Sequence, residues 1–305
     1  MSQLYQFYLF NPGRQVRYYA VKALDEGGFG YVWSGITDQG LPVAIKIIKP
    51  SSDFQRDFSS WYTEQKIHLQ CLYHPYIVMT FDQFFSPEGY LVLVMEQAGG
   101  NLEALVNTGY KHSLKAVCAI GTQILSALHY IHSLGVIHRD VTLKNILWFN
   151  GGIFKLCDFG ISKSDVQPDE LAKTFIGHKS YIPPELLYAG YSSQQSDLYQ
   201  LGLVLLSLLV GRHPIPLNAA AEQARQMILD GTPRQIADSL ISTHGKLAKV
   251  VSVLLRRRDQ YRYKTAQEVW AELETEYRNQ ENIEQMVNSL LQTNKHILPP
   301  WLQKP

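Results

Sequence analysis

Three oxygen-bearing side chains lie close together in the middle of the chain. Asp140, Asn145 and Asp158 supply two carboxylates and one amide oxygen. Such groups can act as a general base and as the hard oxygen ligands that Mg²⁺ prefers. A base beside two metal ligands is the set that phosphoryl transfer from a magnesium nucleotide requires. The residue types therefore predict metal-assisted phosphate chemistry.

The segment between Asn145 and Asp158 predicts a β-hairpin. One apolar run, Ile146–Phe149, follows Asn145, and a second, Ile153–Cys157, precedes Asp158. Asn150-Gly151-Gly152 lies between the two runs and is typical of a tight turn. Such a hairpin would hold the two ligand residues at its ends and fix their separation.

The residues around this hairpin resemble two motifs of the protein kinase family. His138–Asn145 is similar to H-R-D-L-x-x-x-N, and Asp158-Phe159-Gly160 is similar to D-F-G. The resemblance implies an α+β, bilobal fold with a small β-rich N-lobe and a larger helical C-lobe. It also implies ATP as phosphate donor, Asp140 as the catalytic base, and Asn145 and Asp158 as Mg²⁺ ligands.

Composition excludes some classes of partner. The 305 residues are 46% hydrophobic, and 28 Lys+Arg against 27 Asp+Glu leave a formal net charge of +1. This balance gives no bulk attraction to nucleic acid or to an anionic membrane. Three cysteines without paired spacing disfavour a disulfide framework or a zinc site and favour a reducing compartment, so a cytoplasmic location is expected.

No stretch of the sequence predicts a signal peptide or a membrane span. The most apolar run, Leu198–Val210, is shorter than the roughly 20 residues that a span needs. It also contains Gln200 and Ser207. We therefore expect a buried helix there.

The resemblance covers most of the chain and predicts its organisation. The expected parts are an N-terminal extension over residues 1–17, an N-lobe over 18–95, a hinge over 96–101, a C-lobe over 102–277 and a tail over 278–305.

A glycine-rich segment opens the expected N-lobe. Gly27, Gly28 and Gly30 precede Val32 and resemble the kinase G-x-G-x-x-G-x-V loop. Glycines there let backbone N–H groups approach phosphate oxygens without obstruction by a Cβ. Asp25 stands where the first glycine of the motif would be, and its carboxylate is expected to weaken nucleotide binding unless it points away.

Lys46 is the expected phosphate-binding cation of the N-lobe. Val43-Ala44-Ile45-Lys46 resembles the family's V-A-I-K, whose lysine holds the α- and β-phosphates. Its acidic partner is expected on the following helix, where Glu64 is the carboxylate in the right region. Counting back from His74-Pro75 places Gln65 at the usual position instead. Because an unpaired buried ammonium is costly, Glu64 is predicted, with Gln65 as the alternative.

Further nucleotide contacts are implied between the two lobes. By resemblance, Met95 is the gatekeeper behind the adenine, and the backbone of Glu96 and Ala98 binds the edge of the base. Ala44 and Leu147 sandwich the ring. The alternative interpretation of these apolar residues is simple core packing, and for Met95 both interpretations hold.

Three segments of the C-lobe resemble further family motifs: Gly177–Glu185 (G-T-x-x-Y-x-x-P-E), Asp197–Gly202 (D-x-W-x-x-G) and Arg262–Ala266 (R-x-x-T/S-A). The resemblance implies that Arg262 pairs with Glu185 and that Asp197 opens the central buried helix. In the family, such segments build a peptide-binding platform, so the resemblance favours protein substrates over small molecules.

Two positions depart from the serine/threonine kinase pattern. Thr142 stands where lysine is usual, and His178 stands where threonine is usual. Both usual side chains reach the catalytic aspartate, so the two substitutions are hypothesised to be linked; Lys144 is an alternative source of positive charge. The predicted activity is transfer to Ser/Thr hydroxyls of proteins, with autophosphorylation. The alternatives are a pseudokinase that binds nucleotide or acts as a scaffold, a tyrosine-specific kinase and a small-molecule kinase.

A regulatory switch is also implied. In the family, an arginine at the position of Arg139 commonly receives a phosphate from the activation segment. Thr174 lies eleven residues before Glu185, where the primary phosphosite tends to lie, and is the predicted acceptor. The competing acceptors are Ser162, Ser164 and Ser180.

Overall fold

The computed structural model describes residues 6–27, 30–48, 74–109, 111–158 and 179–278. The chain divides into two compact units, one formed by residues 1–73 and 77–98 and the other by 74–76 and 99–305. The first, called here the β unit, is a sheet in its described part, and the second, the helical unit, is mainly helical. This α+β organisation confirms the predicted fold class.

Six antiparallel strands form the sheet of the β unit, in the order β1-β2-β3-β4-β6-β5. Their bounds are β1 Phe7–Asn11, β2 Val16–Gly27, β3 Gly30–Thr37, β4 Pro42–Ile48, β5 Thr80–Phe85 and β6 Leu91–Glu96. Val43, Ile45, Val92 and Val94 are buried together with Tyr18. β-Branched and aromatic residues suit such a pleated, buried face, so the same residues favour strand and core.

Strand β1 lies within residues 1–17, where an extension is predicted. It pairs with β2 from Phe7 opposite Ala20 to Asn11 opposite Val16. Buried Asn11 donates its Nδ2 to Asp82 at 2.7 Å. The predicted extension therefore contributes an edge strand to the sheet.

Eight α-helices, two short 3-10 helices (Lys179–Tyr181 and Asp259–Tyr261) and a small sheet make up the described part of the helical unit. The helices are α1 Leu102–Val106, α2 Leu114–Ser133, α3 Pro184–Ala189, α4 Gln194–Val210, α5 Ala221–Leu229, α6 Thr232–Ser239, α7 Ile241–Leu254 and α8 Ala266–Arg278. The strands are β7 Gly100–Asn101, β8 Ile146–Phe149 and β9 Ile153–Leu156, in the order β7-β8-β9. Residues 198–209 of α4 are buried, which confirms the predicted buried helix.

Helix α2 is long and apolar enough to cross a membrane by length and composition alone. However, 67% of its most apolar window is buried inside the structure. A Cβ added at Gly121 would lie 2.7 Å from Leu273 and 3.3 Å from Leu205, so α2 packs tightly against α8 and α4. Such close packing is typical of a core helix.

Strands β8 and β9 form the predicted hairpin. They pair from Ile146 opposite Leu156 to Phe149 opposite Ile153. Gly151 and Gly152 in the turn have φ of 75° and 76°, a left-handed conformation that glycine adopts without steric cost. The turn glycines and the two apolar runs therefore both predict the hairpin that the structure shows.

Candidate active site

Asp140 and Asn145 contact each other directly in the helical unit. The Asn145 Nδ2 donates to Asp140 Oδ2 at 2.6 Å and to the Asp140 carbonyl oxygen at 3.0 Å. The two residues are only 5% and 8% exposed. Because the amide nitrogen is turned toward Asp140, the amide oxygen is the atom that Asn145 can offer to a cation. The same contact holds one oxygen of the Asp140 carboxylate in place.

The hairpin holds Asp158 near Asn145 along the backbone. The backbone N–H of Cys157 donates to the carbonyl oxygen of Asn145 at 2.9 Å. Asp158 is half-buried, and its φ of 63° lies in the left-handed region that few non-glycine residues adopt. An amide oxygen and a carboxylate are a donor set that fits Mg²⁺. Within the described residues there is no cluster of three or more His, Cys, Asp or Glu for a metal, so the fit depends on this pair.

Asp197, at the start of α4, fixes the backbone before Asp140. Its fully buried carboxylate accepts from the backbone N–H groups of His138 at 2.9 Å and Arg139 at 2.7 Å. The ring Nε2 of His132, on α2, lies 2.8 Å from the same carboxylate. Arg139 has a left-handed φ of 67°, a conformation that costs roughly 1–3 kcal/mol and persists only where the surrounding contacts offset that cost. Asp197 provides that support.

Gln200, one turn along α4, supports the segment on both sides of Asp140. Its Oε1 accepts from the backbone N–H of Val141 at 3.0 Å, and its Nε2 donates to the carbonyl oxygens of Arg139 and Tyr181. The Tyr181 hydroxyl in turn accepts from the backbone N–H of Leu143 at 3.2 Å.

The sequence motifs predicted no role for Gln200 or His132. A signal for Gln200 was present, because a polar residue interrupts an apolar helix there. For His132 no local signal existed, since α2 lies far from Asp197 along the chain.

The His138 ring links the two ends of the site. Its Nδ1 accepts from the backbone N–H of Asp140 at 3.3 Å, and its Nε2 lies 3.1 Å from the carbonyl oxygen of Cys157. Complete burial lowers the pKa of His138 below its ordinary value, which favours the neutral ring. A neutral ring with its proton on Nε2 satisfies both contacts.

Glu185 and Arg262 form a fully buried ion pair. Two nearly parallel contacts of 2.9 and 2.7 Å join the guanidinium to the carboxylate. Ser196 Oγ donates to the same carboxylate at 2.6 Å, and Arg262 lies over the Tyr199 ring at 4.8 Å. The pair therefore connects α3 with the segment before α8.

In the β unit, strand register places four predicted nucleotide-site residues on one face. Lys46 lies opposite Val32, and Ala44 lies opposite Met95. Directly opposite residues and residues two apart on one strand share a face. Lys46 is only 8% exposed, and Met95 packs against a buried cluster of its own unit.

The glycine-rich segment begins at the turn between β2 and β3. Gly27 pairs with Gly30, and a Cβ at Gly30 would lie 2.1 Å from the Ile47 carbonyl oxygen. Only glycine fits this close approach to β4. The Asp25 side chain is exposed and accepts from the Glu26 backbone N–H at 2.9 Å.

The predicted adenine contacts are divided between the two units: Glu96 and Ala98 belong to the β unit, and Leu147 belongs to the helical unit. The backbone N–H of Glu96 donates to the Met79 carbonyl oxygen at 3.0 Å, and its side chain accepts from the Met79 N–H at 2.7 Å. Ala98 and Leu147 are half-buried, and Leu147 pairs with Asn101.

Several predicted residues lie outside the described residues: Gly28, Glu64, Gln65, Ser162, Ser164, Thr174 and His178. Thr142 is described and is only 1% exposed. Its Oγ1 has no hydrogen-bond partner in the part of the chain that the structure describes. This hydroxyl is the one polar departure from the family pattern that the structure locates beside Asp140.

Comparison with known proteins identifies the family. A family profile described as "Protein kinase domain" matches residues 18–296. The chain is 32% identical over 214 residues to Serine/threonine-protein kinase TIO of Arabidopsis thaliana, which covers 70% of this chain and 16% of that protein. It is equally identical, at 32%, to Serine/threonine-protein kinase 36 of Mus musculus over 65% of this chain and 15% of the relative. Serine/threonine-protein kinase PLK4 of Nematostella vectensis is also 32% identical, over 68% of this chain and 21% of its own length. The chain thus spans about a fifth or less of each of these relatives, and it belongs to the protein kinase family.

Proposed function

We propose that this chain is an ATP- and Mg²⁺-dependent protein kinase that transfers the γ-phosphate to serine and threonine hydroxyls of proteins and phosphorylates itself. The observation that carries the proposal is the contact of Asp140 with Asn145 on a segment whose backbone Asp197 and Gln200 hold. A scaffold does not need a buried carboxylate fixed in this way. The relatives named above are serine/threonine kinases, which supports serine and threonine hydroxyls as the groups that accept the phosphate.

In this proposal, Asp140 orients the substrate hydroxyl and accepts its proton as the bond to phosphorus forms. Asn145 holds the carboxylate and, with Asp158, would hold Mg²⁺; when bound, this ion neutralises the phosphate charges. Lys46 positions the phosphates of ATP. Most of the rate would then come from positioning and from charge stabilisation.

A pseudokinase is the second candidate, and two observations favour it. Thr142 stands where the family usually has lysine, and its hydroxyl is buried without a partner among the described residues. Asp25 places a carboxylate in the glycine-rich segment. The exposure of Asp25 weakens this second argument for a pseudokinase, because a solvated side chain that points outward adds little repulsion at the phosphates.

Regulation by phosphorylation is part of the proposal. Thr174 is the proposed acceptor and Arg139 the group that receives its phosphate. Support comes from Arg139 itself, which is 5% exposed and has its backbone fixed by Asp197. A phosphothreonine carries about −1.5 to −2 charge and can accept paired contacts from a guanidinium. The proposed location of action is the cytoplasm.

The test is transfer of label from γ-phosphate-labelled ATP to the chain and to generic protein substrates. Asp158→Asn should abolish or strongly reduce incorporation, because it removes the carboxylate that would hold Mg²⁺. Lys46→Met should do the same, because it removes the cation that positions the phosphates. Asp38→Asn, at an exposed turn of the β unit, is the matched control and should incorporate label normally.

Nucleotide binding is measured in parallel to separate the two candidates. If the unaltered chain binds ATP but transfers no phosphate, it is a pseudokinase. If Asp158→Asn keeps full incorporation, the metal assignment is wrong.

A further inference from the structure

An open hollow of about 960 Å³ lies in the helical unit and contains none of the candidate active-site residues. Four arginines line it, Arg234 and the consecutive Arg256, Arg257 and Arg258, against one acidic residue, Asp259. Four positive charges against one negative charge in a single concave surface contrast with a chain whose formal net charge is only +1. The local field of this hollow therefore favours an anionic ligand.

The single carboxylate in the wall is already engaged within the protein. Asp259 Oδ2 accepts from the Tyr191 hydroxyl at 2.5 Å, and Oδ1 accepts from the Gln260 backbone N–H at 2.9 Å. In the described part of the chain, no ion pair joins this carboxylate to an arginine of the hollow. Among the described residues, the guanidinium groups of Arg257 and Arg258 form no hydrogen bond or ion pair, and both residues are exposed.

The other two arginines keep most of their capacity to bind an anion. Arg234 pairs with Asp238 at 3.5 Å, but both side chains are more than two-fifths exposed, so the pair contributes little. One nitrogen of Arg256 donates to the Tyr261 carbonyl oxygen at 2.7 Å, which orients the guanidinium and leaves its remaining donors.

The backbone of this arginine segment is fixed from the interior. Arg262 donates to the carbonyl oxygens of Arg256 at 2.7 Å and Arg257 at 3.2 Å. Gln195 donates to the Asp259 carbonyl oxygen at 2.7 Å. Because Arg262 is itself held in a buried ion pair, the arginines project from a rigid support, which lowers the entropy lost on binding.

Three exposed aromatic rings complete the surface. Tyr188, Tyr191 and Tyr261 are 52%, 41% and 53% exposed and line the same hollow. Guanidinium groups bind carboxylates in paired fashion, and exposed aromatic faces pack against apolar side chains. A hollow of this size accommodates several residues of a peptide. We propose that it docks an acidic segment of a protein partner, in which carboxylates alternate with apolar side chains.

The test uses the full chain without nucleotide and a fluorescent peptide of alternating glutamates and leucines. Binding is measured by anisotropy at low salt, with the glutamine counterpart of the peptide as ligand control. Arg257→Gln with Arg258→Gln should weaken binding by at least about tenfold, because a single charge-assisted hydrogen bond contributes that much or more. Arg212→Gln with Arg225→Gln removes the same charge from positions outside the hollow and should change affinity little.

Tyr188→Ala provides an independent variant that leaves the charge unchanged and should weaken binding severalfold. The proposal is overturned if both arginine pairs lose affinity equally, if the glutamine peptide binds as well as the acidic one, or if no acidic peptide binds. Polyuridylate RNA and phosphatidylserine vesicles serve as competitors. If the RNA or the vesicles bind more tightly than the peptide, and if that binding is lost in the Arg257/Arg258 variant, the hollow belongs to a different class of partner.

Discussion

At the scale of single residues, one carboxylate outside the proposed chemistry controls the geometry of the site. Asp197 accepts from two consecutive backbone N–H groups immediately before Asp140. These contacts hold Arg139 in its left-handed conformation, which sets the direction in which the chain enters Asp140. The side chain of Asp140 is then held by Asn145.

Asp197→Asn should therefore impair transfer although Asp197 has no proposed contact with substrate, nucleotide or metal. The amide offers only one acceptor oxygen where the carboxylate offers two, so at least one N–H loses its partner. A buried hydrogen bond to a charged group is worth about 1.5–3 kcal/mol, and we expect a loss of stability in that range. Urea unfolding and steady-state kinetics check this, with a fall in kcat larger than any rise in KM for ATP. An unchanged kcat would mean that Asp197 supports only the fold.

The sequence predicted Asp140, Asn145, Asp158 and Asp197 as site residues because each belongs to a short motif. It could not predict the burial of the Thr142 hydroxyl, since burial depends on which elements cover the residue. It also could not predict the contact of His132 with Asp197, which packing of α2 against α4 creates.

At the scale of elements, the helical unit depends on one buried ion pair. Glu185 opens α3 and Arg262 precedes α8, and both side chains are fully buried. Removal of one partner from such a pair leaves an uncompensated charge and costs about 3–5 kcal/mol, whereas replacement of both by apolar residues is often tolerated.

Arg262→Met should consequently destabilise the chain by about 3–5 kcal/mol. Glu185→Leu combined with Arg262→Met should recover part of that loss, because no buried charge remains. Urea unfolding of the two single variants and the double variant measures the coupling. Additive losses in the double variant would show that the two side chains stabilise the fold independently.

The elements with strong local signals were predictable, and those set by distant contacts were not. The β8–β9 hairpin has turn glycines and two apolar runs, and α4 is a continuous apolar helix. In contrast, β1 becomes a strand by pairing with β2, and no local pattern distinguished it from an extension. Helix α7 contains a kink at Gly245, where φ is 53°, although the surrounding residues favour a helix.

At the scale of the whole molecule, buried histidines make stability dependent on pH. Burial lowers the pKa of His112 and of His213 to about 4. In an unfolded chain a histidine has a pKa of about 6.5, so the unfolded state binds protons first as the pH falls. The stabilisation from each neutral, buried ring is complete above a pH of about 6.5 and is lost progressively toward a pH of about 4.

Stability should therefore fall by about 1–2 kcal/mol per buried histidine between pH 7 and pH 5. Urea unfolding at both pH values measures the difference. His213→Asn keeps a hydrogen-bonding group near Nδ1 and removes the titrating ring. It should reduce the loss of stability between pH 7 and pH 5 by the contribution of one buried histidine. His129→Asn, at an exposed position of α2, is the control. Equal pH dependence in the His213 variant and the unaltered chain would contradict the role of burial.

The left-handed backbone at Asp158 creates a conflict between the stability of the fold and the proposed activity. An aspartate held at a φ of 63° costs conformational free energy that glycine would not. Asp158→Gly should thus be tolerated by the fold and should melt no lower than Asp158→Ala, even though it removes a proposed metal ligand. Selection of a random library for thermal resistance alone should enrich glycine at this position, and thermal melting of the two variants compares them directly. Asp158→Gly alone would then separate descendants that keep the proposed metal ligand from stable descendants that lack it and act only as scaffolds.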